Sequence, residues 1–205
     1  MNYLTLMSLF LCCFLSTVHS AAKDSAGAGA NPHYDPDYKN HFYIILSSSK
    51  FYFNHRHTGN TMAIYKWIKD RGITDDKILL MLPENHACNS RKDERGHVQY
   101  WKRDMRQNFY CDDVEIDYKS DDITFETVLN LLRGRYRPDF PESMKLKTNE
   151  ESKIFIYFNG HGGDNFFKIQ DTEVLQSTDL AKAYNEMYLK RKYKEIFMIM
   201  ETCEG

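Results

Sequence analysis

The sequence predicts an α/β protein, built on a mostly parallel sheet with helices on both faces. Three observations carry this. Four short β-prone runs, residues 42–46, 78–82, 154–158 and 196–200, are apolar throughout, as strands covered on both faces are. Helical stripes lie between them: Ile64, Trp67 and Ile68; then Phe125, Val128, Leu129 and Leu132; then Leu180, Ala183, Tyr184, Met187 and Tyr188. Strand and helix therefore alternate, the order that produces parallel pairing through helical crossovers.

Each element has a local reason. Residues 3–15 are almost wholly apolar, no charged side chain precedes Lys23, and Val18-His19-Ser20 puts small residues where a signal peptidase reads. Residues 1–20 are expected to be a secretory signal peptide, its apolar run being short of the roughly 20 residues that span a bilayer. Residues 21–40 are rich in Ala, Gly, Asp and Pro without periodicity and are expected to be a flexible lead-in. The folded domain is expected over residues 41–205. Lys69, Arg71 and Gly72 end the first helix. Residues 85–112 are polar and weakly periodic, a long loop or excursion with some helix, and the alternating residues 114–118 predict a strand. Thr124 caps the second helix and Gly134 closes it. Residues 135–152 are a loop. The third helix ends in Lys190-Arg191-Lys192, cations that suit the negative end of its dipole.

With 205 residues the chain favours one domain. Its formal net charge of −2 gives no electrostatic reason to expect nucleic acid as a partner. Cys12 and Cys13 would leave with the signal, and Cys88, Cys111 and Cys203 would remain. An odd count in an oxidising compartment leaves a free thiol or an intermolecular bond. No Cys/His spacing suits zinc.

Two residues stand out by position. His161 follows the third apolar run within Asn159-Gly160-His161-Gly162-Gly163-Asp164, and Cys203 follows the fourth within Glu201-Thr202-Cys203-Glu204-Gly205. Ligands of open α/β sheets bind beyond the carboxyl ends of the strands. Parallel neighbouring strands would bring both side chains to one edge, as a nucleophile and its base. Glycines around His161 allow close backbone approach, and their amides can face a developing negative charge.

These segments, with Phe53-Asn54-His55-Arg56-His57 after the first run, resemble the legumain-like branch of the caspase-fold cysteine peptidases. Within that branch residues 156–164, 167–171 and 190–193, together with Met81-Leu82 and Ala87-Cys88-Asn89, are most similar to the catalytic subunits of GPI-anchor transamidases. The resemblance covers residues 41–205. It implies a caspase-like fold whose C-terminal part lies beyond Gly205, so that the chain is expected to be a fragment. It implies Cys203 as nucleophile, His161 as general base and acid, Asn54 as the residue orienting His161, and the amides of Gly162 and Cys203 as an oxyanion hole. It places Arg56 and His57 near the substrate pocket. Cys88 would bond to a neighbouring lumenal subunit, and no family partner for Cys111 is implied. Asp75, the Ile78 carbonyl, Glu115 and Asp117 match positions associated with a structural calcium ion, hard oxygen donors compatible with that metal; solvated strand-end carboxylates are the alternative. No cofactor is required for the chemistry.

The implied activity is cleavage of a proprotein's C-terminal signal and transfer of the new carboxyl end to the amine of a GPI lipid, in the endoplasmic reticulum and beside other membrane-bound subunits. A legumain-type asparaginyl endopeptidase and a non-catalytic truncated assembly partner are the alternatives. Glu201 stands where transamidases more often have Asp and Glu204 where they more often have Gln, both leaning toward legumain. Residues 91–106 depart from the family pattern.

Overall fold

A computed structural model describes residues 36–102, 105–110 and 114–204. The expected signal peptide, residues 21–35 and Cys111 lie outside the described residues. In chain order the elements are β1 (His41–Ser47), α1 (His55–Lys69), β2 (Ile78–Leu82), β3 (Gln99–Lys102), β4 (Met105–Asn108), β5 (Tyr118–Lys119), α2 (Phe125–Arg133), β6 (Lys153–Asn159), β7 (Gly162–Gly163), β8 (Phe166–Ile169), β9 (Glu173–Gln176), α3 (Ser177–Leu189) and β10 (Glu195–Glu201). A 3-10 turn, Pro36–Asn40, leads into β1 from within the stretch read as a flexible lead-in.

β10, β6, β1, β2 and β5 form one sheet in that order, and every pairing is parallel. Alternation along the strands sorts the core into two layers. Phe42, Ile44 and Leu46 of β1 share one face with Ile154, Ile156 and Phe158 of β6, and pack on Val128, Leu129 and Leu132 of α2 and Ala183 and Met187 of α3. Tyr43 and Ile45 face the other way with Leu80 and Tyr157, against Met62, Tyr65 and Ile68 of α1. Fully burying each of the Val, Leu, Ile, Phe and Met side chains among them contributes about 1.5–3 kcal/mol. The expected α/β, caspase-like arrangement with helices on both faces is what the chain forms.

The expected ends of α2 are present. Thr124 accepts a hydrogen bond from the Thr127 amide at 3.0 Å, and Gly134 closes the helix in the left-handed region at φ 64°.

Two expectations change. The strand expected over 114–118 shrinks to Tyr118–Lys119, because a side chain takes the ladder position before it. Asp117 Oδ2 accepts from the Leu80 amide at 2.8 Å, and the Asp117 amide donates to the Leu80 carbonyl at 3.0 Å. Within the polar excursion, β3 and β4 form an antiparallel hairpin. A second small antiparallel sheet, β7-β8-β9, lies between β6 and α3. Among the described residues no helix is long and apolar enough to cross a membrane.

Candidate active site

β6 and β10 are adjacent and in register, with Asn159 opposite Glu201. His161 and Cys203 each stand two residues beyond that pair, so both emerge at the same edge of the sheet. The strand ends are tied together: the Gly160 amide donates to the Glu201 carbonyl at 3.2 Å. A Cβ at Gly162 would lie 2.8 Å from the Phe166 carbonyl oxygen and closer still to Thr202 Oγ1, so only glycine allows this approach. Cys203 is a free, exposed thiol.

His161 is oriented from the opposite side by Asn54. The Asn54 side chain is 1% exposed, and its Oδ1 lies 2.9 Å from His161 Nε2. Asn54 occupies the N-cap of α1, a position where Asn ordinarily accepts from the helix's first amides, yet it makes no side-chain cap. Its Nδ2 donates instead to the Lys50 carbonyl at 2.6 Å. That bond leaves Oδ1 facing His161, and an amide oxygen only accepts. In the tautomer that matches this acceptor, Nε2 of His161 carries the proton and the Nδ1 lone pair can accept one.

His57 stands behind this pair. Its ring meets the His161 ring edge-on, with centroids 5.0 Å apart, and its Nδ1 lies 2.8 Å from Ser49 Oγ. Burial, with the Arg56 and His161 charges adding to it, lowers its pKa to about 4, so it is a neutral ring at physiological pH. Glu201, two residues before Cys203, accepts from Asn60 Nδ2 at 2.6 Å and from the Tyr157 hydroxyl. Asn159 Nδ2 joins the Tyr157 hydroxyl, at 3.1 Å, to the His57 carbonyl, at 3.3 Å. A polar network thus connects the ends of β6 and β10 to the first turns of α1.

The model of the peptidase C13 family matches residues 41–205. This chain belongs to the peptidase C13 family. Its C13 domain is 43% identical over 166 residues to a Saccharomyces cerevisiae protein named GPI-anchor transamidase, a match covering 81% of this chain and 40% of that one. A human protein of the same name is 41% identical over 166 residues, covering 81% of this chain and 42% of that protein. One from Sus scrofa is 38% identical over 204 residues, covering 100% of this chain and 50% of that protein. The chain spans about half the length of the relatives it matches.

The remaining expected residues of the C13 domain fall around this centre or apart from it. Arg56 is exposed, and its guanidinium donates to the Phe53 carbonyl at 3.1 Å. Cys88 is free and exposed, at the end of a 3-10 turn in which the Asn85 side chain accepts from the Cys88 amide. Asp75 is engaged by the Tyr65 hydroxyl at 2.8 Å and by Lys69 Nζ at 2.5 Å. The same hydroxyl accepts from the Glu115 amide at 3.4 Å. Burial, with like charge from Glu115 and Asp75, pushes the Asp117 carboxyl up to about 7. Among the described residues, no three His, Cys, Asp or Glu side chains are gathered closely enough to hold a metal ion.

Sequence reasoning missed Ser49, Asn60, Tyr157 and Asn159 as neighbours of the site. No spacing signals them. They meet because the ends of β1, β6 and β10 converge on the first turns of α1.

Proposed function

We propose that this chain carries the nucleophile and base of a GPI-anchor transamidase. The observation that supports this most is the Asn54–His161 hydrogen bond, with Cys203 at the matching position on the neighbouring strand. The names of the C13 relatives supply the acceptor chemistry. Cys203 Sγ attacks the carbonyl carbon of the attachment residue while His161 Nδ1 takes the thiol proton. As the imidazolium forms, its Nε2–H stays on Asn54 Oδ1. The oxyanion is met by the amides of Gly162 and Cys203, where losing one donor costs about 2.7–4 kcal/mol of barrier. The C–N bond breaks, and the departing amine of the signal peptide takes the proton from Nδ1. A thioester remains. The amine of a GPI lipid attacks it, Nδ1 accepts the amine's proton, and the thiolate leaves and is reprotonated. Transfer in place of hydrolysis requires the amine to be positioned and water kept out.

The same reading puts the protein in the endoplasmic reticulum lumen, delivered by residues 1–20 and held at the membrane by other subunits, one of them disulfide-bonded to Cys88. A structural calcium ion belongs to this reading too, on Asp75, the Ile78 carbonyl, Glu115 and Asp117. These side chains are not gathered into a cation site in the described residues; binding would have to bring their oxygens together and draw Asp75 away from Lys69.

The test is Cys203→Ala and His161→Ala in the full-length protein, in cells lacking their own subunit. Each is expected to abolish display of GPI-anchored reporters at unchanged protein level. Restored display by either variant overturns the assignment.

A further inference from the structure

The turn that carries Asn54 is gripped by two residues for which the reaction above has no use. Phe51 has a φ of 72°. With a ψ of 146° this backbone lies outside the left-handed helical well, in a positive-φ region that glycine favours; it costs a bulky side chain on the order of 1–3 kcal/mol and persists only where the surroundings impose it. Here its peptide groups are held on both sides. The Phe51 amide donates to Glu84 Oε2 at 2.6 Å. The Phe51 carbonyl accepts from His86 Nε2 at 3.0 Å and from the Asn54 amide at 3.0 Å. Because a carbonyl only accepts, His86 Nε2 carries a proton, and His86 Nδ1 accepts from the Thr58 hydroxyl at 2.6 Å. His86 is 1% exposed, and burial lowers its pKa, which keeps this doubly bonded ring neutral. The second oxygen of Glu84 accepts from Asn89 Nδ2 at 2.9 Å, so the carboxylate is itself fixed.

The Phe51 amide and the Lys50 carbonyl belong to one planar, trans peptide unit, in which N–H and C=O point opposite ways. By drawing the N–H toward itself, Glu84 turns the Lys50 carbonyl toward Asn54, whose Nδ2 donates to it. That donation decides which end of the Asn54 amide faces His161.

We infer that Glu84 and His86 are positioning residues for the Asn54–His161 pair: by clamping the Phe51 peptide groups they present Asn54 Oδ1 to His161 Nε2. The inference rests on the catalytic reading of that pair. Neither residue is asked to touch a reacting atom.

The experiment uses membranes from cells in which the full-length variant is the sole subunit of its kind, with a proprotein reporter and hydroxylamine as a small acceptor amine. Glu84→Ala is expected to lower kcat by about 100-fold, the scale of a misplaced catalytic group, with KM little changed. Glu84→Gln keeps an oxygen for the Phe51 amide and falls between the two. His86→Gln, whose amide can still donate to the Phe51 carbonyl, retains more turnover than His86→Leu. In an Asn54→Ala background Glu84→Ala is expected to add less than about twofold, because no amide is left to orient. The inference is overturned if Glu84→Ala adds its full loss to Asn54→Ala. It is also overturned if Glu84→Ala, or Glu84→Gln and His86→Leu should that variant not fold, reduce only the amount of protein while kcat per folded molecule stays intact. If Asn54→Ala and His161→Ala themselves leave turnover intact, the catalytic reading has failed first.

Discussion

Gly162→Ala probes how closely the two strand ends approach. The added Cβ would sit 2.8 Å from the Phe166 carbonyl oxygen and nearer still to Thr202 Oγ1, whereas carbon reaches comfortable contact at about 3.5–4.0 Å. Neither neighbour yields cheaply. The Phe166 carbonyl is main chain of β8, which pairs with Gly162 and Gly163. Thr202 Oγ1 is buried and immediately precedes Cys203. Relief therefore moves main chain. Overpacking of this kind costs about 1–3 kcal/mol, and a domain of this size loses about 2–4 °C of Tm per kcal/mol. The larger effect is on rate, because a shift of about 1 Å at a reacting group costs about 100-fold. Gly163→Ala is the control: the nearest atoms to its Cβ belong to the Phe166 ring, at 2.7 Å, a side chain and not main chain. Transfer of a proprotein reporter, normalised to folded full-length protein by limited proteolysis, reads both variants. Equal turnover per folded molecule in Gly162→Ala and Gly163→Ala would refute the close approach of Gly162 to Thr202.

Acid stability should follow His57. Its folded pKa of about 4 lies below the ordinary histidine value of 6.5, so between those values the unfolded chain binds more protons. Stability is then present above pH 6.5 and is lost as pH falls toward 4; His57→Gln should flatten that part of a Tm-against-pH series, and an unchanged slope would clear His57. Cys88→Ser should remove a high-mass band from a non-reducing gel of the assembled complex, and persistence of the band would exclude Cys88 as the tether. Calcium at about 100 times its Kd should stabilise the wild-type protein by about 2.7 kcal/mol. Asp117→Asn should erase the calcium-dependent rise in Tm; an equal rise in both proteins would place the ion elsewhere.

Strands with a continuous apolar pattern were the most legible part of this fold. β2 lies where residues 78–82 predict it, and β1, β6 and β10 each extend one residue beyond their apolar runs at either end. The two-residue offset of His161 and Cys203 could also be read, since it needs only the strand ends. What escaped was structure made by polar atoms or by no side chain at all. α1 begins at His55, well before its apolar stripe, because buried His57, Thr58 and Thr61 form the inner face of its first turns. β7 consists of two glycines, which carry no pattern. The β3–β4 hairpin contains Gln, Lys, Arg and Asn, and alternation never emerges. The clamp on Phe51 joins residues more than thirty positions apart, beyond the reach of any local window.

The in-register pairing of β6 and β10 separates chain length from reacting distance. The crossover between His161 and Cys203 runs through β7, β8, β9 and α3, yet the strand ends that carry the two residues are held at the spacing of neighbouring strands, about 4.8 Å. The crossover can therefore lengthen or shorten on its outer side without retuning the chemistry. Arg191, exposed and already in a left-handed turn at φ 50°, is a natural seam. A peptide spliced in there would travel with the enzyme as cargo, while the geometry at the sheet edge stayed as the hydrogen-bonded ladder dictates.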